Sequence, residues 1–338
     1  MIQGAIQSLL DGRDLSRGDA RAVMGQIMAG EATAAQIGGF LVALRAKGET
    51  ADEIAGCAEA MRAHVLPVSP TRDDVVDVVG TGGDGSRTFN ISTTAAIVAA
   101  AAGAGVAKHG NRAVSSVSGS ADVLEALGLM LEQSPERIAA SIDTLGFGFM
   151  FAPLHHPAMR HAAPVRRELG TRTIFNVLGP LTNPAGARAG VFGVYSAPVA
   201  RTVADALAVL DSRRAFVVHG ANGIDELSPA GPNLVLEVVD GAVHERMLDP
   251  AELGIAPCDQ GELAGGTPEE NARTVREILS GADGARRDAV VLNAAGAIAA
   301  AGHAVDLREG LDLAREAIDS GRAASRLEEL VAFSRESA

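Results

Sequence analysis

From Asp74 onward, short β-branched or aromatic runs alternate with helical stretches, and that alternation restricts the chain to a mostly parallel sheet flanked by helices. The strand candidates are Val75 to Val79, Val106 to Lys108, Phe149 to Phe151, Gly190 to Tyr195, Ala215 to His219 and Leu234 to Val239. Helices are expected from about Ser92 to Ala102, near Ala121 to Leu127, and from Ser134-Pro135-Glu136, where proline takes the first helical position. The C-terminal part returns to helix from about Pro268.

The first 66 residues carry helical signals only. Three N-terminal signatures recur there: Ser16 with Asp19, Thr33 with Gln36 and Thr50 with Glu53. The latter two fit the capping box, in which a hydroxyl and a side chain three residues on satisfy orphan amides. Ile37, Phe40, Leu41 and Leu44 then fall on one helical face, as do Ile54, Cys57, Ala58 and Met61. The fold class is therefore α/β, with a small N-terminal helical domain before a larger sheet domain. We expect the helical domain over residues 1–66, joined by a returning segment near 160–185, and the α/β domain over 72–338.

A formal net charge of -13 argues against a general affinity for nucleic acid or an anionic membrane, both of which favour a basic surface. An anionic substrate would then need a local basic pocket. Cys57 and Cys258 form neither a disulfide framework nor a thiolate metal site, which points to a reducing cytoplasm. The start of the chain lacks a basic, apolar leader, and the apolar stretch Ala95 to Ala102 is too short to span a bilayer.

Gly80-Thr81-Gly82-Gly83-Asp84-Gly85 follows the first strand and fits the dinucleotide-binding expression G-x-G-x-x-G. Two details oppose that reading. Ser86 to Asn90 separate the last glycine from the helix, and the second strand ends in Lys108-His109 instead of an acid for ribose hydroxyls. A glycine-rich loop before a helix N-terminus still suits an anion, or is simply a structural turn. The next segment weights the choice towards the anion. Lys108, His109 and Arg112 lie within five residues, followed by Ser115, Ser116, Ser118 and Ser120. Such donors and countercharge at a strand end suit a polyphosphate.

These segments, Asp77 to Gly85, Thr88 to Thr93 and Lys108 to Ser116, closely resemble the anthranilate phosphoribosyltransferases of tryptophan biosynthesis. The resemblance extends through Phe147 to Pro153, His155 to Arg160, Val165 to Gly170, Thr173 to Asn176, Leu178 to Pro184 and Leu292 to Ala297, nearly the whole chain. It implies an enzyme that joins anthranilate to the ribose phosphate of 5-phosphoribosyl 1-diphosphate (PRPP) with Mg2+, and a homodimer formed through the helical domain. It also implies the donor contacts Gly80, Gly83, Asp84, Thr88, Asn90, Ile91, Ser92 and Thr93. Further donor contacts are Lys108, His109, Gly110, Asn111, Arg112, Ala113, Val114, Ser115, Ser116 and Ser120. Gly80, Asn111 and Arg166 match anthranilate contacts, and Ser92, Asp225 and Glu226 match magnesium ligands.

The residues' own chemistry fits these roles without fixing them. Mg2+ takes hard oxygens, commonly one or two carboxylates plus phosphate and water. A bare Asp-Glu pair is more often a solvated turn. Arg166 suits a carboxylate, but Arg167 might equally serve, or either could pair with Glu168. Lys108 is expected to turn its cation towards phosphate. His155-His156 lacks zinc-site spacing and reads as structural or as lining the acceptor entrance; His109 either bonds substrate or holds its loop. Val117 stands where the family often has a basic residue, and Asn222 where it more usually has an acidic one. The rival readings are a pyrimidine nucleoside phosphorylase, a non-catalytic nucleic-acid-binding paralogue and a dehydrogenase.

Overall fold

The computed structural model describes residues 1–113 and 117–336. Four helices open the chain: α1 (Ile2–Leu10), α2 (Arg17–Met28), α3 (Ala34–Lys47) and α4 (Ala51–Arg62). Ser16, Thr33 and Thr50 each cap their helix through the expected side chain, and the latter two close full capping boxes with Gln36 and Glu53. Glu53 also accepts the Leu15 N–H at 2.9 Å and Lys47 Nζ at 3.0 Å, so the cap of α4 ties together the preceding loops.

The sheet part begins with β1 (Val75–Gly80), α5 (Ile91–Ala101), β2 (Gly105–Gly110), α6 (Ser120–Leu127), α7 (Pro135–Leu145) and β3 (Phe147–Phe151). The chain then leaves the sheet for α8 (Ala152–His155), α9 (Ala163–Leu169) and α10 (Phe175–Leu181). It returns as β4 (Ala189–Gly193), α11 (Ala197–Val209), β5 (Arg214–His219), β6 (Asn233–Val239) and β7 (Ala242–Leu248). Helices α12 (Pro268–Leu279), α13 (Ala285–Ala301), α14 (Leu307–Asp319) and α15 (Arg322–Arg335) follow.

The strand order is β3-β2-β1-β4-β5-β6-β7, parallel through β5 and antiparallel for the last two pairings. Side-chain alternation covers both faces. Val76, Val78, Val191, Phe216 and Val218 pack with α5 and α13. Phe192, Ala215, Val217, Leu236 and Val238 pack with α2, α4, α10 and α11 on the other face. The order of the chain reverses around β1, which lies between β2 and β4, and ligands of open α/β sheets bind at the carboxyl ends beside such a switch point.

The sheet has one strand more than the sequence reading anticipates. Ala242–Leu248 is mostly exposed and carries His244, Glu245 and Arg246 in a row, which breaks any apolar-polar alternation. It pairs because Asp240 (φ 49°) and Gly241 (φ 74°) make a two-residue turn with both central residues left-handed, the geometry that matches strand twist. Among the described residues no helix is long and apolar enough to cross a membrane.

Candidate active site

The carboxyl ends of β1 and β2 open into a cavity of about 780 Å³. Its walls come from the loop after β1, the segment after β2, helices α8 to α10 and the loop after β5, with Met61 of α4 closing one side. Gly82, Gly83 and Gly85 have φ of 70°, 72° and 76°, a left-handed region that glycine enters without steric cost. The loop therefore turns its backbone into the cavity before α5 begins.

Asp225 and Glu226 anchor this loop. The Gly82 N–H donates to Asp225 Oδ2 at 2.6 Å, and the Ser92 N–H at the start of α5 donates to Glu226 Oε1 at 3.1 Å. The Asp225 N–H in turn donates to Asp84 Oδ2 at 3.2 Å. The pair is thus no solvated turn. Burial pushes both carboxyls above their usual range, aided by Asp84 at Asp225 and by Asp225 at Glu226. Asn222, three residues before Asp225, takes a left-handed conformation (φ 61°) that asparagine tolerates.

From the first loop and α5, Gly80, Gly83, Asp84, Thr88, Asn90 and Ser92 line the cavity, with Ile91 beside them. From the end of β2 and the segment after it, His109, Gly110, Asn111, Arg112 and Ala113 do so. Val114, Ser115 and Ser116 lie outside the described residues. Ser120 stands behind Asn111: its Oγ accepts the Asn111 N–H and donates to the Asn111 carbonyl, both at 3.2 Å. Thr93 is buried within α5 and is not on the cavity wall. Arg112 pairs with Asp122 at 3.2 Å and Glu125 at 2.8 Å, and Val117 is exposed.

Lys108 does not face the cavity as expected. It is 2% exposed, and its Nζ donates to the Val78 carbonyl at 2.6 Å and lies 3.5 Å from Ser92 Oγ. The side chain of this strand residue runs under β1 instead of out beyond the strand end. Burial lowers its pKa against the opposing pull of Asp77 and Glu226. Its one hydrogen-bonding link to the cavity lining, among the described residues and apart from β1 backbone, is to Ser92 Oγ.

Arg166 and Arg167 separate cleanly. Arg167 is exposed, whereas Arg166 lines the cavity with its guanidinium 5.0 Å from the Phe175 ring centre. Burial lowers the Arg166 pKa, and among the described residues no carboxylate forms an ion pair with it. The histidines also divide. His155 Nδ1 bonds the Leu66 carbonyl at 2.9 Å and is structural. His156 lines the cavity, its ring 4.9 Å from that of His109, and the Nε2 atoms of both are buried without a hydrogen-bond partner among the described residues. Burial holds His109 down to about 3 and His156 to about 4, so both are neutral at physiological pH.

Two contributors escape the sequence reading. Arg172 donates to the Gly83 carbonyl and lies 4.0 Å from the Tyr195 ring centre, fastening the segment before α10 to the glycine-rich loop. Its partner is 89 residues away, so no local pattern marks it. Asp77 lies in a β-branched run, where an acid is itself a signal. Its carboxylate accepts the Val78 N–H at 2.8 Å, the His109 N–H at 3.3 Å and Asn183 Nδ2 at 2.6 Å.

This architecture defines a class. Residues 3–65 match the glycosyl transferase family helical bundle domain, and residues 72–324 match the glycosyl transferase family a/b domain. An anthranilate phosphoribosyltransferase of Desulforudis audaxviator is 56% identical over 334 residues, 98% of this chain and 96% of that protein. The crystal structure of the Thermus thermophilus anthranilate phosphoribosyltransferase superposes with a TM-score of 0.94 at 50% identity, covering 98% of this chain and 99% of that one. That from Saccharomyces cerevisiae, solved in complex with PRPP and Mg, does so at 0.89 and 31% identity, covering 98% and 97%. The chain belongs to the anthranilate phosphoribosyltransferase family.

Proposed function

We propose that the protein transfers the 5-phosphoribosyl group of PRPP to the amine of anthranilate, giving N-(5-phosphoribosyl)anthranilate and diphosphate. The observation that carries this reading is one cavity with two chemically different walls. Glycine-rich backbone and the Asp225-Glu226 pair make up one part of the lining; the other part holds Arg166, which has no carboxylate partner among the described residues, with apolar and neutral aromatic groups. The first wall suits diphosphate, and the second suits a planar aromatic carboxylate.

The donor diphosphate lies along Gly80 to Asp84 and the start of α5, with Asn90 and Ser92 beside it. Asn111, braced by Ser120, wraps the ribose phosphate together with Arg112 and Ala113. Ser92, Asp225 and Glu226 are hard-oxygen groups, and the buried carboxylates' reluctance to ionise is what a divalent cation relieves. Mg2+ commonly takes one or two protein carboxylates and completes its shell with substrate oxygens and water. Mg2+ held there supplies charge neutralisation for the departing diphosphate.

Arg166 and Asn111 orient anthranilate through its carboxylate and place its amine towards the anomeric carbon. His109 and His156, being neutral, add hydrogen-bonding capacity without a competing charge. An aromatic amine needs no deprotonation to attack, so the residues act by positioning and charge stabilisation. In this reading, residues 1–66, joined by a returning segment near 160–185, form the helical domain and the remainder of 72–338 forms the α/β domain, in a cytoplasmic homodimer.

The test is incubation with anthranilate, PRPP and Mg2+ while following the loss of anthranilate fluorescence. The chain has no Trp and one Tyr, so intrinsic emission interferes little. Activity should require all three components and disappear with EDTA. Phosphate-dependent nucleoside cleavage without consumption of anthranilate would overturn the reading.

A further inference from the structure

Asn271 lies in the second turn of α12, far in sequence from the cavity's loops, and is 2% exposed. Its Oδ1 accepts the Gly266 N–H at 2.8 Å, which fixes the amide's orientation and turns its Nδ2 towards Asn90 Oδ1, 2.9 Å away. Asn90 Oδ1 also accepts from Ser118 Oγ at 3.2 Å, and Asn90 Nδ2 donates to the Ser118 carbonyl at 3.2 Å. A directed chain thus runs from a backbone amide through two asparagines to the segment after β2. Each link sets the rotation of the next amide, whose two ends are nearly identical in shape and opposite in hydrogen-bonding sense.

The backbone around this chain is fixed independently. The Phe89 N–H donates to the Leu263 carbonyl at 3.0 Å, and the Gly265 N–H donates to the Arg87 carbonyl at 2.9 Å. A β-carbon on Gly265 would lie 2.7 Å from Phe89 Cα, so the two segments touch at main-chain distance. The stretch before α12 is therefore a rail along the second half of the glycine-rich loop, and Asn271 is the side chain that reaches from it to a cavity residue.

We infer that Asn271 is a positioning residue for the phosphoribosyl donor, acting through Asn90 to hold the glycine-rich loop and the segment after β2 in register. The inference rests on the proposed function, since it takes Asn90 to meet the donor. Among the described residues, Asn90 is the one cavity residue to which the Asn271 side chain hydrogen-bonds, so its effect should pass through that residue.

Asn271→Asp preserves the acceptor for Gly266 but sets oxygen against oxygen at Asn90. The Asn90 amide must then turn over, which sets its oxygen against the Ser118 carbonyl and breaks that bond, while the Ser118 hydroxyl can turn to accept from Nδ2. The KM for PRPP should rise about tenfold, with the KM for anthranilate changing less than about twofold. Asn271→Ser, smaller and uncharged, carries the same test should the aspartate variant fold poorly. A merely structural role would lower the amount of active enzyme and leave both KM values alone. In an Asn90→Ala background, either substitution should leave the PRPP KM where Asn90→Ala alone puts it, the non-additivity expected of one shared pathway. The shift in melting temperature on adding PRPP and Mg2+ reads donor binding without turnover. A wild-type protein showing no such shift and no consumption of anthranilate would fail the functional reading and this inference together. A fully active wild type whose Asn271 variants keep the PRPP KM, or raise it equally in the Asn90→Ala background, would overturn the inference alone.

Discussion

Gly80 and Asp225 lie so close that a β-carbon on Gly80 would stand 2.3 Å from Asp225 Oδ2 and 2.7 Å from its Cγ. The absence of a side chain at the end of β1 is what lets the carboxylate from the loop after β5 reach the Gly82 N–H.

Gly80→Ala should therefore displace Asp225 and uncouple the two loops. Turnover should fall by at least about a hundredfold, while overpacking costs only about 1–3 kcal/mol of stability. Steady-state rates paired with thermal melts check this. A variant within twofold of wild-type turnover would mean that the close approach does not serve the site.

Asp225→Asn combined with Glu226→Gln should abolish most turnover and leave the fold intact. Both carboxyls have folded pKa values raised above their unfolded ones, so each weakens the folded state as pH rises and it ionises. In metal-free buffer at pH 8 the double variant should melt at or above the wild-type temperature. Mg2+ with PRPP should raise the melting temperature of the wild type only. Normal turnover in the double variant would restore the surface-turn reading.

Arg166→Ala should raise the anthranilate KM by a factor corresponding to about 1.5–3 kcal/mol, the worth of a hydrogen bond to a charged group. The PRPP KM should change little, and Arg167→Ala, at an exposed position, should change neither. Equal effects on both substrates would show that the cavity is not divided into donor and acceptor walls.

The neutral histidines give a pH signature. A folded pKa of about 4 for His156, below the unfolded value, contributes stability above the unfolded pKa that is lost as pH falls from about 6.5 through about 4. Asp77, pushed up to about 6 by burial, changes stability in the opposite direction over part of that range, so the informative quantity is a difference between proteins. His156→Gln should lose less melting temperature than wild type between pH 6.5 and pH 4. Parallel melting profiles would show that His156 titrates normally.

How legible these features are depends on how local they are. The caps of α2, α3 and α4 are written within four residues, and β1 and α5 together lie between Val75 and Ala101. The hairpin at Asp240-Gly241 was equally local, since Asp-Gly is a strong hairpin signal, but the weak apolar pattern of β7 obscures it. Lys108 shows the opposite limit. Basic residues in a row suggest a shared anion, yet residues alternate along a strand, and β2 sends Lys108 under β1 while Arg112 lies beyond the strand end. Arg172 and Asn271 have partners 89 and 181 residues away, and no spacing rule reaches that far.

The shared core of the first helices has a consequence for synthesis. Phe40, Leu41 and Ile54 pack in one cluster with Val165 and Phe175 and with Val203 and Leu207 of α11. A ribosome delivers α1 to α4 first, but their apolar faces have no complete partner until translation has passed Leu207. Through that interval the nascent helices present greasy surface to chaperones and to neighbouring chains, and the protein's exposure to misassembly is concentrated there.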